Sequence, residues 1–255
     1  MDMSVQPIED ALARPIRSLW VSVTDRCNLR CQYCMPESEY VWLPRKDILA
    51  FEEISSLVDV FTSSGVNRVR LTGGEPLLRK DLPQLVHLLA EKPALRDLAL
   101  TTNGLLLADQ ATQLREAGLH RLTVSLDTLQ EDRFTELTRF KGVSIVQNGL
   151  AAAKTAGFDD IKIDTVVIRD VNDDELIQLL DYACSVDVEI RFIEYMDVGG
   201  ATRWSTENVF SRADMMRVIT AERGPVTAIN EVSSAPADRF QLPSGQTFGI
   251  LSSTT

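Results

Sequence analysis

The sequence predicts an α/β fold, a partial (β/α)6 barrel of TIM type, on three observations. Six short apolar runs alternate with amphipathic helical patterns. Polar and glycine-rich stretches follow the runs at their C-terminal ends: TDRC, TGGEP, TTNG, SLD and EYMD. Beyond Gly199-Gly200 the rhythm gives way to one helix and several strand-like segments, an α+β extension. Strand–helix alternation implies parallel strands joined by right-handed crossovers. Six such units, rather than eight, leave a barrel incomplete.

The elements follow in chain order. Leu19–Val23 is the first strand. Phe51, Ile54, Leu57, Val58 and Phe61 share a helical face, and Gly65 stops that helix. Val69–Leu71 is the second strand, and Leu82, Leu85, Val86 and Leu89 mark the next helix. Leu98–Thr102 is the third strand, with a helix ending near Gly118. Leu122–Leu126 is the fourth, with a helix ending near Gly157. Ile161–Ile168 is a β-branched fifth strand, followed by a helix carrying Leu176, Ile177, Leu179 and Leu180; Val188–Ile193 is the sixth. In the extension, a helix spans 213–221, strands lie at 225–229 and 239–242, and Pro243-Ser244-Gly245 turns into a closing strand at 246–251. The expected domains are therefore a barrel core over 1–198 and an extension over 199–255.

Composition narrows the function classes. The 255 residues carry a net charge of -11, which excludes a broad nucleic-acid surface. No apolar run reaches the roughly 18 residues of a membrane span. The N-terminal segment has no apolar signal core, so a cytoplasmic protein is expected. Clustered cysteines in that compartment point to metal or catalysis rather than to disulfides.

Three of the four cysteines, Cys27, Cys31 and Cys34, fall at spacing C-x3-C-x2-C. Zinc would want a fourth ligand, and only Asp25 and Glu37 are near, since His87 and His120 lie far along the chain. A disulfide would leave a spare thiol. A four-iron cluster takes one ligand per iron, so three thiolates leave one iron open for another molecule. The pattern favours the cluster over the other two. Cys184, mid-helix, reads as a small buried apolar residue, and His87 and His120 as surface or helix-end residues.

The triplet, with Tyr33 before its last cysteine, resembles the radical S-adenosylmethionine (SAM) superfamily. That resemblance implies a [4Fe-4S] cluster on Cys27, Cys31 and Cys34 whose open iron holds SAM. It also implies reduction of SAM to a 5′-deoxyadenosyl radical. Gly73-Gly74-Glu75-Pro76, by itself a tight turn, resembles the superfamily's motif for the SAM amino group. The stretches ARPIRSLWVSVTDRCNLRCQYCMP, RVRLTGGEPLLRKDL, LALTTNGLLL, RLTVSLDTL and EIRFIEYMDVG together resemble the GTP 3′,8-cyclase family of molybdenum cofactor biosynthesis, from about Ala13 onward.

By that resemblance Tyr33, Gly73, Gly74, Glu75, Ser125 and Met196 bind SAM, while Arg70, Thr101 and Lys162 bind GTP. Arg70 and Lys162 supply the positive charge a triphosphate needs in an acidic chain. On their residue types alone, Thr101 and Ser125 read as ordinary strand residues and Met196 as core filler. The implied reaction removes hydrogen from ribose C3′ of GTP and joins C3′ to C8 of guanine, as a lyase. A flavodoxin-like reductant and pairing of two copies are implied partners; nucleic acid and membrane are not.

Two departures from the family pattern stand out. The family has arginine in L-R-L-S-V-T-D, touching GTP, where this chain has Trp20. Family members also continue past the segment matching Phe248–Thr255 into C-x2-C-x13-C, which holds a second cluster. These departures create the expectation of a truncated extension, a single cluster and poor turnover of GTP. A radical SAM enzyme with another substrate, such as a peptide, and an inactive cluster- and SAM-binding protein are the alternative readings.

Overall fold

The structure, a computed structural model, describes residues 8–197, 204–229 and 237–253. The Gly199-Gly200 break lies outside the described residues. Two compact units divide the chain. The first holds Met1–Asn28, Tyr40–Thr123 and Gln147–Asp160; the second holds Leu29–Glu39, Val124–Val146 and Ile161–Thr255.

In the first unit β1 (Ser18–Ser22), β2 (Arg68–Thr72) and β3 (Asp97–Thr102) lie side by side. The β1–β2 and β2–β3 pairs are parallel, with Trp20 opposite Arg70 and Arg70 opposite Ala99. β4 (Arg121–Ser125) follows β3 in order, its first three residues belonging to this unit. Helices α1 (Phe51–Ser63), α2 (Leu82–Ala90) and α3 (Leu107–Glu116) connect the strands. Alternation sorts each strand's faces: Val69, Leu71, Leu98 and Leu100 are at most 1% exposed. Leu82, Leu85, Val86 and Leu89 of α2 are likewise fully buried. Each such side chain contributes about 1.5–3 kcal/mol. The opposite face carries Trp20, Arg70, Thr101 and Thr123. On α1 only Ile54 and Val58 are buried; Leu57 and Phe61, expected on the same face, are exposed.

The second unit holds β5 (Ile161–Val167), β6 (Glu189–Glu194), β7 (Thr227–Ile229), β8 (Asp238–Gln241) and β9 (Thr247–Leu251). They lie side by side in the order β5-β6-β9-β8-β7. β5–β6 and β6–β9 are parallel, whereas β7–β8 and β8–β9 are antiparallel. The hairpin at Pro243-Ser244-Gly245 thus forms as its turn residues require. Its second strand continues the parallel set beside β6, and Phe248 packs edge-on to Phe192 (6.5 Å) and stacks on Phe240 (5.4 Å).

Two expectations need correction. The single helix ending near Gly157 is two, α4 (Glu131–Thr138) and α5 (Val143–Thr155). Arg139 caps α4 in the left-handed conformation, φ 60°, and breaks the run without a glycine. Cys184 is exposed rather than buried. It sits on α6 (Leu176–Ser185), whose buried stripe is Leu176, Leu179, Leu180 and Ala183, so the next position turns outward. A last helix, α7 (Arg212–Arg223), begins with a Ser211–Asp214 capping box. Among the described residues no helix is long and apolar enough to cross a membrane.

Candidate active site

In the first unit the chain leaves β1 through Thr24-Asp25-Arg26 into Cys27, and the Gly73-Gly74-Glu75 turn after β2 lies directly on that backbone. Gly74 N donates to Thr24 O at 2.8 Å and Glu75 N to Arg26 O at 2.7 Å. A Cβ on Gly73 would stand 2.4 Å from Thr24 O, and one on Gly74 would stand 2.2 Å from Arg26 O. Only glycine allows this approach. Arg79 Nη1 adds a 2.9 Å hydrogen bond to Val23 O. The two motifs, about 45 residues apart in sequence, therefore form one backbone knot.

Glu75 holds the next strand end. Its carboxylate is 1% exposed and accepts from Leu77 N (2.9 Å), Thr102 Oγ1 (2.7 Å) and Asn103 N (2.7 Å). Burial pushes its pKa up against these three donors. Asn103 Nδ2 in turn donates to Asn28 Oδ1 at 2.8 Å and reaches 3.9 Å from Cys27 Sγ. Asp25, considered above for zinc, instead accepts Leu43 N at 2.6 Å.

Deeper on the same strands, Arg70 Nη1 donates to Thr101 Oγ1 (2.8 Å) and Thr123 Oγ1 (2.9 Å). Its guanidinium carbon lies 5.4 Å from the centroid of the Trp20 ring, which is 65% exposed. One layer below, Arg121 pairs with Asp97 through two hydrogen bonds and lies 3.6 Å from Asp160. Arg70 and Thr101 are thus brought together, with Trp20 beside them.

The second unit carries the rest of the cysteine loop. Cys34 N and Met35 N both donate to Cys31 O, at 3.0 and 2.8 Å, which folds the segment into a turn. Tyr33 Oη donates to Asp127 Oδ2 at 2.6 Å. Burial, with the nearby Asp127 carboxylate, keeps the Tyr33 phenol protonated well above the ordinary range. Burial also pushes Asp127 up to about 6, against hydrogen bonds from Tyr33 and Val166. Ser125, the last residue of β4, precedes Asp127 by two positions. Lys162 faces Glu189 in the β5–β6 register. Met196 follows Tyr195 just past β6. Tyr33, Leu137, Ile168, Val171 and Tyr195 line part of a cavity of about 280 Å³.

The Asp127 shift has a sign that can be checked. Its folded-state pKa lies above that of an ordinary aspartate, so the folded chain keeps a proton that the unfolded chain has lost. Stability therefore falls as pH rises from about 4 to about 6. By thermal unfolding of the metal-free chain, wild type should lose up to roughly 3 kcal/mol relative to Asp127→Asn across that window.

None of the four cysteines is in a disulfide; Cys27 and Cys31 are half-buried and Cys34 is exposed. Among the described residues no three His, Cys, Asp or Glu side chains form a group that could hold a single metal ion. Sequence reasoning does not single out Asn103 or Asp127, although both sit in the TTNG and SLD strand ends that it flags. His87 lies on α2 within 3.4 Å of Glu91, and His120 Nδ1 accepts Leu98 N.

Comparison with known proteins places this arrangement. Residues 21–183 match the model of the radical SAM superfamily. The chain is 52% identical to GTP 3′,8-cyclase 3 of Mycobacterium bovis over 98% of its own length and 67% of that protein's. It is 51% identical to GTP 3′,8-cyclase 1 of Mycobacterium tuberculosis, over 97% and 70%. With GTP 3′,8-cyclase of Acidothermus cellulolyticus the identity is 45%, over 98% and 71%. Among solved structures, Streptococcus suis SuiB bound to S-adenosylmethionine superposes with a TM-score of 0.66 at 19% identity, covering 80% of this chain and 48% of SuiB. The enzyme anSMEcpe with bound AdoMet gives 0.63 at 19%, covering 81% and 60%. The chain thus spans about half the length of SuiB, and these two likenesses speak for fold alone. The α/β partial-barrel fold class expected from the sequence is that of these enzymes. The chain belongs to the radical SAM superfamily and, within it, to the GTP 3′,8-cyclase family.

Proposed function

We propose that this chain is a lyase that cyclises GTP to 3′,8-cyclo-7,8-dihydro-GTP, the first step of molybdopterin biosynthesis. One observation carries the reading: the Gly73-Gly74 turn lies on the backbone that leads into Cys27, at a distance only glycine permits. Such a knot suits a cofactor gripped by backbone beside a cysteine loop.

The donor set fits one [4Fe-4S] cluster. Cys27, Cys31 and Cys34 lie in one short stretch of chain and are in no disulfide. These three thiolates would hold the cluster, one to each of three irons, and would leave the fourth iron open. When bound, the cluster and SAM supply a 5′-deoxyadenosyl radical. The protein's part is to bind, orient and exclude. On this reading Tyr33, Gly73, Gly74, Ser125 and Met196 hold SAM, and Glu75 fixes the turn that does so. Arg70, Thr101 and Lys162 hold GTP. The planar guanidinium fork of Arg70 suits a phosphate. Trp20 presents an exposed aromatic face beside that charge, which suits a nucleotide base. Residues 1–198 form the core on this reading and 199–255 an extension that lends it β9. A flavodoxin-like electron donor, pairing of two copies and a cytoplasmic site belong to the same proposal.

The test is product analysis under anaerobic conditions with SAM, a reductant and either GTP or ATP. GTP-dependent 5′-deoxyadenosine, with loss of GTP, is the expected result. Equal 5′-deoxyadenosine from GTP, ATP and no nucleotide contradicts GTP as substrate.

A further inference from the structure

Within the second unit the segment Arg30–Pro36 is tied down at two places. The first is the C-terminal end of α4, whose last carbonyls have no partner within the helix. Arg30 N donates to Thr138 O at 3.0 Å and Gln32 N to Leu137 O at 3.0 Å. Gln32 Nε2 reaches Glu136 O at 2.8 Å, and Arg139 Nη2 returns a 2.7 Å hydrogen bond to Pro36 O. The second place is Asp127, reached by Tyr33, the residue next to Gln32. Asp127 is itself fixed. Its Oδ1 accepts Val166 N at 2.8 Å, and its backbone carbonyl accepts Asn172 Nδ2 at 2.8 Å. The same Asn172 amide also donates to Val166 O at 2.8 Å, and its Oδ1 accepts Ile168 N at 2.8 Å. Asp127 is only 7% exposed, so a mobile carboxylate with solvent alternatives is not what Tyr33 meets.

Contacts at the end of α4 fix the segment on either side of the turn from Cys31 to Cys34. The Tyr33 ring, inside that turn, adds an anchor on a different part of the chain. We infer that Asp127 is a positioning residue for the cysteine loop: it holds the Tyr33 ring, and through it the Cys31–Cys34 turn, in the shape that receives the cluster and SAM. This rests on the function proposed above. A bland alternative is that Tyr33 merely satisfies a buried carboxyl group. In that case the pair affects folding alone and leaves ligand binding by the folded protein untouched.

A double-mutant cycle on the full chain, reconstituted anaerobically with iron and sulfide, separates the two. Wild type, Y33F, D127A, the double variant and D127N are compared by SAM dissociation constant. The electron paramagnetic resonance spectrum of the reduced cluster, with and without SAM, is the second readout. Supporting groups around metal sites typically contribute 10- to 100-fold. Y33F and D127A should each weaken SAM by about tenfold and blunt the SAM-induced spectral change, and the double variant should be no worse than either. D127N should stay within about threefold of wild type, because asparagine can accept Val166 N–H and donate to the Tyr33 oxygen. Wild-type affinity and spectra in Y33F, or additive losses in the double variant, overturn the inference. If D127A does not fold, Y33F and D127N carry the comparison. Wild-type protein that takes up no cluster defeats the proposed function and this inference together; loaded wild type with indifferent variants defeats the inference alone.

Discussion

Gly74→Ala is expected to remove cluster uptake almost entirely. The new Cβ would lie 2.2 Å from Arg26 O, 2.5 Å from Arg26 C and 2.8 Å from Asp25 O. These are backbone atoms, so no side chain can swing aside. The substitution therefore pushes the strand-end backbone away from the turn. It breaks the 2.8 Å and 2.7 Å hydrogen bonds from Gly74 N and Glu75 N, which hold that backbone just before Cys27. Lost hydrogen bonds and strain together cost roughly 3 kcal/mol. Iron bound per chain after reconstitution should fall below about a tenth of wild type, with a lower thermal midpoint. Wild-type iron content in G74A would show that the knot does not shape the cysteine loop.

The second large effect is expected at Arg70. Arg70→Ala should lower kcat/KM for GTP roughly 10- to 100-fold, the worth of a charge-assisted hydrogen bond to phosphate. SAM affinity should not change, since Arg70 contacts Thr101, Thr123 and Trp20 rather than the glycine turn. Arg70→Lys should recover only part of the loss. Lysine keeps the charge but cannot serve both threonines and a phosphate with a planar fork. Steady-state kinetics with GTP varied, beside SAM binding, distinguishes this from general damage. Equal losses in GTP and SAM binding would mean that Arg70 supports the fold and not the substrate.

Much of the fold was legible because its signals are local. Every strand of the alternating core falls within a residue or so of its apolar run, and the α2 stripe is buried as its periodicity requires. What escaped reading depends on non-local choices. Arg139 ends α4 in a conformation that glycine usually marks, so no residue type announced the break between α4 and α5. Local pattern finds the β8–β9 hairpin, yet it cannot say that β9 lies parallel to β6. Cys184 looked apolar by its neighbours, but a helix turns about 100° per residue and places it beside Ala183, not with it.

The candidate site divides in the same way. Cysteine spacing and the paired glycines carry their chemistry in sequence order. Asn103 and Asp127 do not. Each matters only because a particular strand end meets a particular loop, and single-sequence spacing says nothing of that. Trp20 beside Arg70 is likewise a fact of strand register, Trp20 opposite Arg70 in the β1–β2 pair. The exposed ring that breaks the family pattern thus lies against the one cation for which that register gives it a partner.

On the proposed function, three thiolates on one loop hold a four-iron cluster with a place for SAM. The most direct measurement is iron and sulfide per chain after anaerobic reconstitution, joined to electron paramagnetic resonance of the reduced protein before and after SAM. About four irons per chain are expected, lost when Cys31 is replaced by alanine, with a spectrum that shifts on adding SAM. One tightly bound zinc per chain, or a cluster whose spectrum ignores SAM, would contradict it.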